Sequence, residues 1–282
     1  MKFWLTGIIV ILLGLAAWYF LMPTEPEVEE AIPAPIAPAS LEPEPEPQAT
    51  PEPSVEASPE PGAPEPQEPS LPDLADSDPE ALEVAAELVG SQPVEAYLTH
   101  ENVISRVVAT VNALSARQIP PVIQVMQGPG GEFAVIPDPD PETVIRNPLG
   151  DPIPQYTLDP ANYERYAPYV EMLEQADPAA VSEAYARYDE LFEEAFRQLG
   201  YPKGGFEERM VAVIDELLAT PEVTDPVRLV KPEAYYRFAD ERLERLTAGQ
   251  KILLRMGPEN AARVKVRLVE IRNALTAAPA RE

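Results

Sequence analysis

The sequence predicts a mostly α-helical single domain carried behind a membrane anchor and an unfolded tether. Three observations predict it. Phe3 to Met22 is a run of 20 residues (22 − 3 + 1) without a charge. Pro23 to Pro72 is dominated by proline and glutamate. From Asp73 onward, apolar residues recur at three- and four-residue spacing between Asp-Pro starts and glycine stops, which is the helical period.

The first run, FWLTGIIVILLGLAAWYFLM, is long enough as a helix to cross a hydrocarbon core about 30 Å thick. Eleven of its residues are Leu, Ile, Val or Phe, which favours insertion by several kcal/mol in total, at roughly 0.3 to 0.6 kcal/mol each. Trp4 at one end, with Trp18 and Tyr19 at the other, suits the two headgroup belts. A cleaved signal peptide fits less well, because cutting after Ala16 would leave an apolar stub in water. Lys2 precedes the run, and the next Lys or Arg is Arg106. The positive-inside bias therefore puts the N-terminus in the cytoplasm and the C-terminal domain outside it, in the periplasm of a Gram-negative cell.

Residues 23–72 contain 16 prolines and 12 glutamates among 50 residues and no basic residue. Proline removes backbone donors and like charges repel, so a disordered, extended tether is expected. Charge is uneven along the rest of the chain. Residues 73–227 carry 8 basic and 29 acidic residues, whereas 228–282 carry 12 basic and 7 acidic. The net charge of −27 opposes nucleic-acid binding. Cysteine is absent, which removes disulfides, thiol catalysis and thiolate metal sites.

Within the domain, 73–282, Asp78-Pro79 opens a helix closed by Gly90, and helices are expected at 94–98 and about 101–115. Residues 122–127 and 132–136 flank Gly128-Pro129-Gly130-Gly131 and read as a small β-hairpin. That turn lacks the Gly-Lys-Ser/Thr of a phosphate loop. Residues 137–158 read as a loop. Asp159-Pro160 starts a helix to about Gln175, and Asp177-Pro178 one to Leu199 before Gly200. An amphipathic helix follows at Phe206 to Ala219, residues 232–246 read as helical in part, and Thr247 can cap Ala248 to Met256. Gly257-Pro258 then stops that helix and restarts another, which runs to about Ala277.

The run AGQKILLRMGPENAARVKVRLVEIRNAL, residues 248–275, resembles the C-terminal signature of the domain of unknown function 3014 family. LDPANYERYAPYVEMLEQAD (158–177), FRQLGYPKGGFEERMVAVIDELLATPEV (196–223) and ADERLERL (239–246) are similar to the same family, over roughly residues 90–277. The resemblance implies a bacterial, membrane-anchored protein with a helical domain. It carries over no catalytic or ligand residues.

The residues themselves suggest few sites. The basic tail is the best candidate. Arg255, Gly257, Asn260, Arg263 and Arg267 surround a helix start and could form an anion or acidic-partner surface, or a basic face that answers the acidic bulk of the same domain. Asp215 lies on the edge of an apolar stripe and should pair with Arg228 or Arg237, with Arg237 favoured as a buried ion pair. His100, the one histidine, cannot build a histidine metal cluster, and the many carboxylates of 183–216 single out no catalytic pair. Recurrent tyrosines, Tyr163, Tyr166, Tyr169, Tyr185, Tyr188, Tyr235 and Tyr236, read as a core edge rather than a stacking platform. No cofactor or metal is expected. The expected partners are the lipid bilayer, through Phe3 to Met22, and an envelope protein or the cell wall. The leading expectation is a non-enzymatic binding or scaffold module, and the alternative is an envelope glycan hydrolase using paired carboxylates.

Overall fold

The computed structural model describes residues 71–139, 141, 144–201, 205–223 and 226–277. The anchor at 1–22 and nearly all of the tether at 23–72 lie outside the described residues. No helix among the described residues is long and apolar enough to cross a membrane. The domain is mostly helical with one small antiparallel sheet.

It opens with α1 (Asp78–Val89), α2 (Ser91–Tyr97) and α3 (Val103–Leu114). Gly90 (φ +90°) turns the chain between the first two, a conformation glycine adopts without Cβ strain. Asp78 acts beyond its own helix. Its two carboxylate oxygens accept from the amides of Asn102 and Val103, each at 2.7 Å, and so satisfy orphan donors at the start of α3. Asn102 takes the left-handed φ of 54° to present them.

The second group is α4 (Ala161–Glu164), α5 (Ala167–Gln175), α6 (Pro178–Gln198) and α7 (Phe206–Leu218). One helix expected over 160–175 is thus two, divided just ahead of Pro168, which stands in the first turn of α5. Asp177 caps α6 by accepting from Ala179 N at 3.0 Å. α6 bends at Tyr188 (φ −110°, ψ 15°). The Tyr188 hydroxyl there donates to Glu80 of α1 at 2.8 Å, so the bend is tied to a neighbouring helix. Phe192 and Phe206 stack with centroids 5.6 Å apart and fix α6 against α7.

The sheet departs from expectation. Strands β1 (Val135–Asp138), β2 (Gln155–Leu158), β3 (Arg228–Val230) and β4 (Arg237–Phe238) pair antiparallel in that order. No hairpin spans Gly128–Gly131. β1 pairs with β2 across the proline-rich stretch expected to be loop, with Val135 opposite Leu158. The cause is Arg165. Its guanidinium donates to the carbonyls of Pro129, Gly130 and Gly131 at 2.9 to 3.1 Å, which gathers the glycine turn onto the α4–α5 junction. Asn162 is fully buried and donates to Ala134 O at 2.6 Å while accepting from Ala134 N at 3.0 Å, so it fixes the entry to β1. Residues 232–246 hold β4 and the short α8 (Glu241–Glu244).

Two helices complete the domain, α9 (Ala248–Arg255) and α10 (Pro258–Ala277). Every residue of α9 is buried. α9 packs against α3, α7 and α10, and its Leu254 joins Leu158, Val227, Leu229 and Phe238 in a cluster beneath the sheet. Gly249 permits the close approach. A Cβ there would lie 2.5 Å from Leu217 Cδ2 and 3.3 Å from Leu114 Cβ. Gly249→Ala is therefore expected to cost about 1–3 kcal/mol by overpacking, read as a lower denaturant midpoint at unchanged slope. A wild-type midpoint would refute this packing.

Candidate functional site

The five tail residues come together at a junction between helices. Gly257 (φ +86°) sits under the ring of Tyr163, where an added Cβ would fall 2.6 to 2.8 Å from three ring atoms. Both the dihedral and the space demand glycine. The buried Asn260 donates to Tyr163 O at 2.9 Å and Met256 O at 3.0 Å, which ties the turn to α4. Arg263 makes a two-pronged contact with Glu174, at 2.9 and 2.6 Å. Arg267 donates to the carbonyls of Glu174 and Ala176, and to Glu270. It thereby closes the C-terminal end of α5. Arg255 is buried with its guanidinium 5.2 Å from the centre of the Phe238 ring. The basic charge is thus engaged within the domain.

The expected buried pair of Asp215 with Arg237 is not formed. Asp215 is exposed and accepts from Arg272 of α10 at 2.5 and 3.1 Å. Arg237 stands on β4, and Arg228 donates to Gln155 across the sheet at 3.2 Å. The apolar stripe of α7 meets α10, so the nearest cation to Asp215 comes from that helix. A half-buried pair does exist elsewhere, with Lys251 buried and Glu244 partly exposed. Lys251 of α9 donates to Glu244 Oε1 and to Glu244 O, both at 3.3 Å. Burial lowers the Lys251 pKa from its ordinary value, and the Glu244 carboxylate opposes that shift. A lysine inside an eight-residue helix gave no outward sign of burial in the sequence.

The other candidates also find structural places. Tyr166 is fully buried, and burial pushes its hydroxyl pKa well up. Tyr169 donates to Gln127 O at 3.1 Å, and burial beside Tyr97 raises its pKa to about 12. Tyr236 meets Tyr156 and Phe133 at 5.2 and 5.6 Å on the fringe of the cluster under the sheet. His100 Nε2 lies 3.8 Å from exposed Glu95. Among the described residues, no group of three His, Cys, Asp or Glu is placed to hold a metal.

What the sequence reading missed is a cleft of about 530 Å³ beside the junction. Thr220 to Val223, Val227, Leu253 and Leu254 line it together with Gly257, Pro258, Ala261, Ala262 and Lys265 of the turn and α10. Lys265 Nζ donates to Thr220 O at 2.6 Å and so spans one side. Glu222 is the one carboxylate among the described residues that line the cleft. Two small residues, Ala261 and Ala262, one turn after Gly257-Pro258, were the only sequence sign of this hollow.

The ion pairs of α10 carry a pH signature. The Arg263 guanidinium holds the Glu174 carboxyl below its ordinary 4.5, and Arg272 holds Asp215 below 3.8. Depressed carboxyl pKa values add stability that is present above the unfolded values and lost as pH falls through the folded ones. Both pairs are partly exposed, and solvent screening holds the Glu174–Arg263 contribution to about 0.2–1 kcal/mol. Glu174→Gln should lower stability at neutral pH by that amount and flatten the loss between about pH 5 and pH 3 in denaturant titrations. An unchanged acid limb would refute the assignment.

Neither the curated proteins nor the solved structures contain a match to this chain. A family model described as "Protein of unknown function (DUF3014)" matches residues 103–272, which is 272 − 103 + 1 = 170 of 282 residues. The matched span runs from the first residue of α3 to the Arg272 that pairs with Asp215, and includes Arg165, Gly257 and Asn260. The chain therefore belongs to the DUF3014 family of proteins of unknown function.

Proposed function

We propose that this protein is a single-pass, non-enzymatic binding module of the bacterial envelope. Phe3 to Met22 anchors it in the cytoplasmic membrane, residues 23–72 act as the tether, and the helical domain works in the periplasm. The uncharged 20-residue run and its flanking charges support the location.

The observation that carries the binding role is the cleft beside Gly257. Its lining combines the apolar Leu253, Leu254 and Val227 with one ammonium group, that of Lys265. Hollows of this size take a ligand group or the anchor side chain of a partner. The occupant we assign is an apolar side chain of an envelope protein, followed in its chain by a carboxylate that meets Lys265. Charge complementarity favours that choice, since an ammonium has three donors and Thr220 O accepts one of them. A glycan hydrolase would need two carboxyl groups across a cleft, and the described lining residues supply one.

The test uses the full chain in its native membrane, with a photo-crosslinking residue at Val223. The expected product is a protease-sensitive adduct whose yield falls at least fivefold in Ala261→Trp, which fills the cleft, and in Lys265→Glu. Both variants should melt as cooperatively as the parent. An adduct sensitive to cell-wall-degrading enzymes but not to protease, or a yield indifferent to both substitutions, would contradict the reading.

A further inference from the structure

The segment that joins β1 to β2 is an arm that the core does not use. Among the described residues from Ile136 to Pro154, none is buried. Its tip is nevertheless ordered by its own hydrogen bonds. Ile153 N donates to Ile145 O at 2.8 Å, and Asn147 N to Asp151 O at 2.9 Å. The Asn147 side-chain oxygen accepts from the amides of Leu149 and Asp151 at 3.0 and 2.9 Å, and Arg146 donates to Gly150 O at 2.7 Å. This tip holds out Leu149, which is 87% exposed, more than any other large apolar residue among those described. An apolar side chain presented on ordered backbone loses little entropy when a partner covers it.

Beside the tip lies a hollow of about 410 Å³, lined by Pro137, Pro139, Pro152 and Pro154 of the arm and by Tyr156 of β2, among others. Pro152 also pairs with Arg146 of the tip, so hollow and tip are continuous. Asp138 is the one charged residue among the described residues that line it. Among the described residues, neither Asp138 nor Asp151 meets a cation, and the Asp151 carboxylate accepts from the neutral amide of Asn147 at 3.4 Å. In sequence, 137–154 carries Asp138, Asp140, Glu142 and Asp151 against Arg146, a net charge of −3 (1 − 4).

That charge selects the occupant. A second copy would bring one acidic arm against another, and an anionic lipid surface would repel the same carboxylates. β1 is an edge strand, and its Pro137 has no amide to offer an added strand. A basic polypeptide answers both the charge and the apolar lining. Arginine suits the hollow, because its aliphatic stem can lie along proline rings while its weakly hydrated, planar head reaches a carboxylate. We infer that the β1–β2 arm is a docking surface for a basic, apolar segment of a partner protein, whose arginine enters the proline-lined hollow onto Asp138 while Leu149 packs on a neighbouring apolar side chain. The arm shares no lining residue with the cleft beside Gly257, so either contact can fail alone.

The absence of cysteine allows a single reporter. Full-length Pro148→Cys, labelled with an environment-sensitive fluorophore and held in nanodiscs of zwitterionic lipid, is titrated with ten-residue peptides. A peptide alternating Leu and Arg should blue-shift the label, with an affinity at least tenfold higher than peptides alternating Leu and Glu or Ser and Arg. Asp138→Asn and Leu149→Ser should each weaken that binding at least fivefold. Neither side chain is buried, so both variants should unfold as the parent does. Equal binding of the three peptides would overturn the inference. Binding indifferent to both substitutions would overturn it as well, and would move the peptide to acidic sequence elsewhere in the chain. A blue shift without peptide would also contradict it. A shift that grows with protein concentration would show a second copy on the arm, and one that appears in nanodiscs of anionic lipid would show a membrane surface.

Discussion

The turn at Gly257 is the constraint on which the rest of the domain depends. It sends the chain from a helix buried on all sides into a long helix that borders three others. The turn works because a ring, that of Tyr163, lies where any Cβ would be. Asn260 then bonds the carbonyl of the same Tyr163 and that of Met256, so that the two sides of the turn are tied to each other and to α4. Buried amides with partners on both sides resist displacement, because breaking either contact leaves a desolvated polar atom.

Around that turn, polar side chains of the signature serve architecture. Gln250 of α9 donates to Glu216 O near the end of α7 at 3.0 Å, and Lys265 donates to Thr220 O just beyond it. Arg267 closes α5, and Arg165 gathers the glycine turn ahead of β1. In each case a long cationic or amide side chain satisfies carbonyls that a helix end or loop leaves open. This explains why a domain so rich in acid has its bases concentrated late in the chain. They meet helix ends and carboxylates supplied by the earlier segments. The cleft is a by-product of the same geometry, since two alanines after a sharp turn cannot fill the space between α10 and the segment after α7.

Helices with local signals were legible in the sequence. Asp177-Pro178 and Gly200 bounded α6 to within a residue or two, because cap and stop are chemistry of neighbouring residues. The sheet was not legible. Its strands are two to four residues long, β1 contains Pro137, and their partners stand up to 75 positions away (230 − 155), as Gln155 does from Val230. Period-two patterning cannot speak over so short a run. The pairing of Asp215 with Arg272 was equally hidden, since it depends on how α7 meets α10. Asp78 illustrates the limit best. Its identity as a capping residue was readable, but the helix it caps begins 25 positions later.

The central claim is that the Gly257 turn holds α4, α5, α9 and α10 as one cooperative unit. Amide hydrogen exchange of the full chain carrying Gly257→Ala tests this most directly. The account predicts that protection falls together across α5, α9 and the first half of α10, because the displaced Tyr163 ring releases all of them. A loss confined to the few amides around residues 256–261, with α5 and α9 protected as in the parent chain, would contradict it.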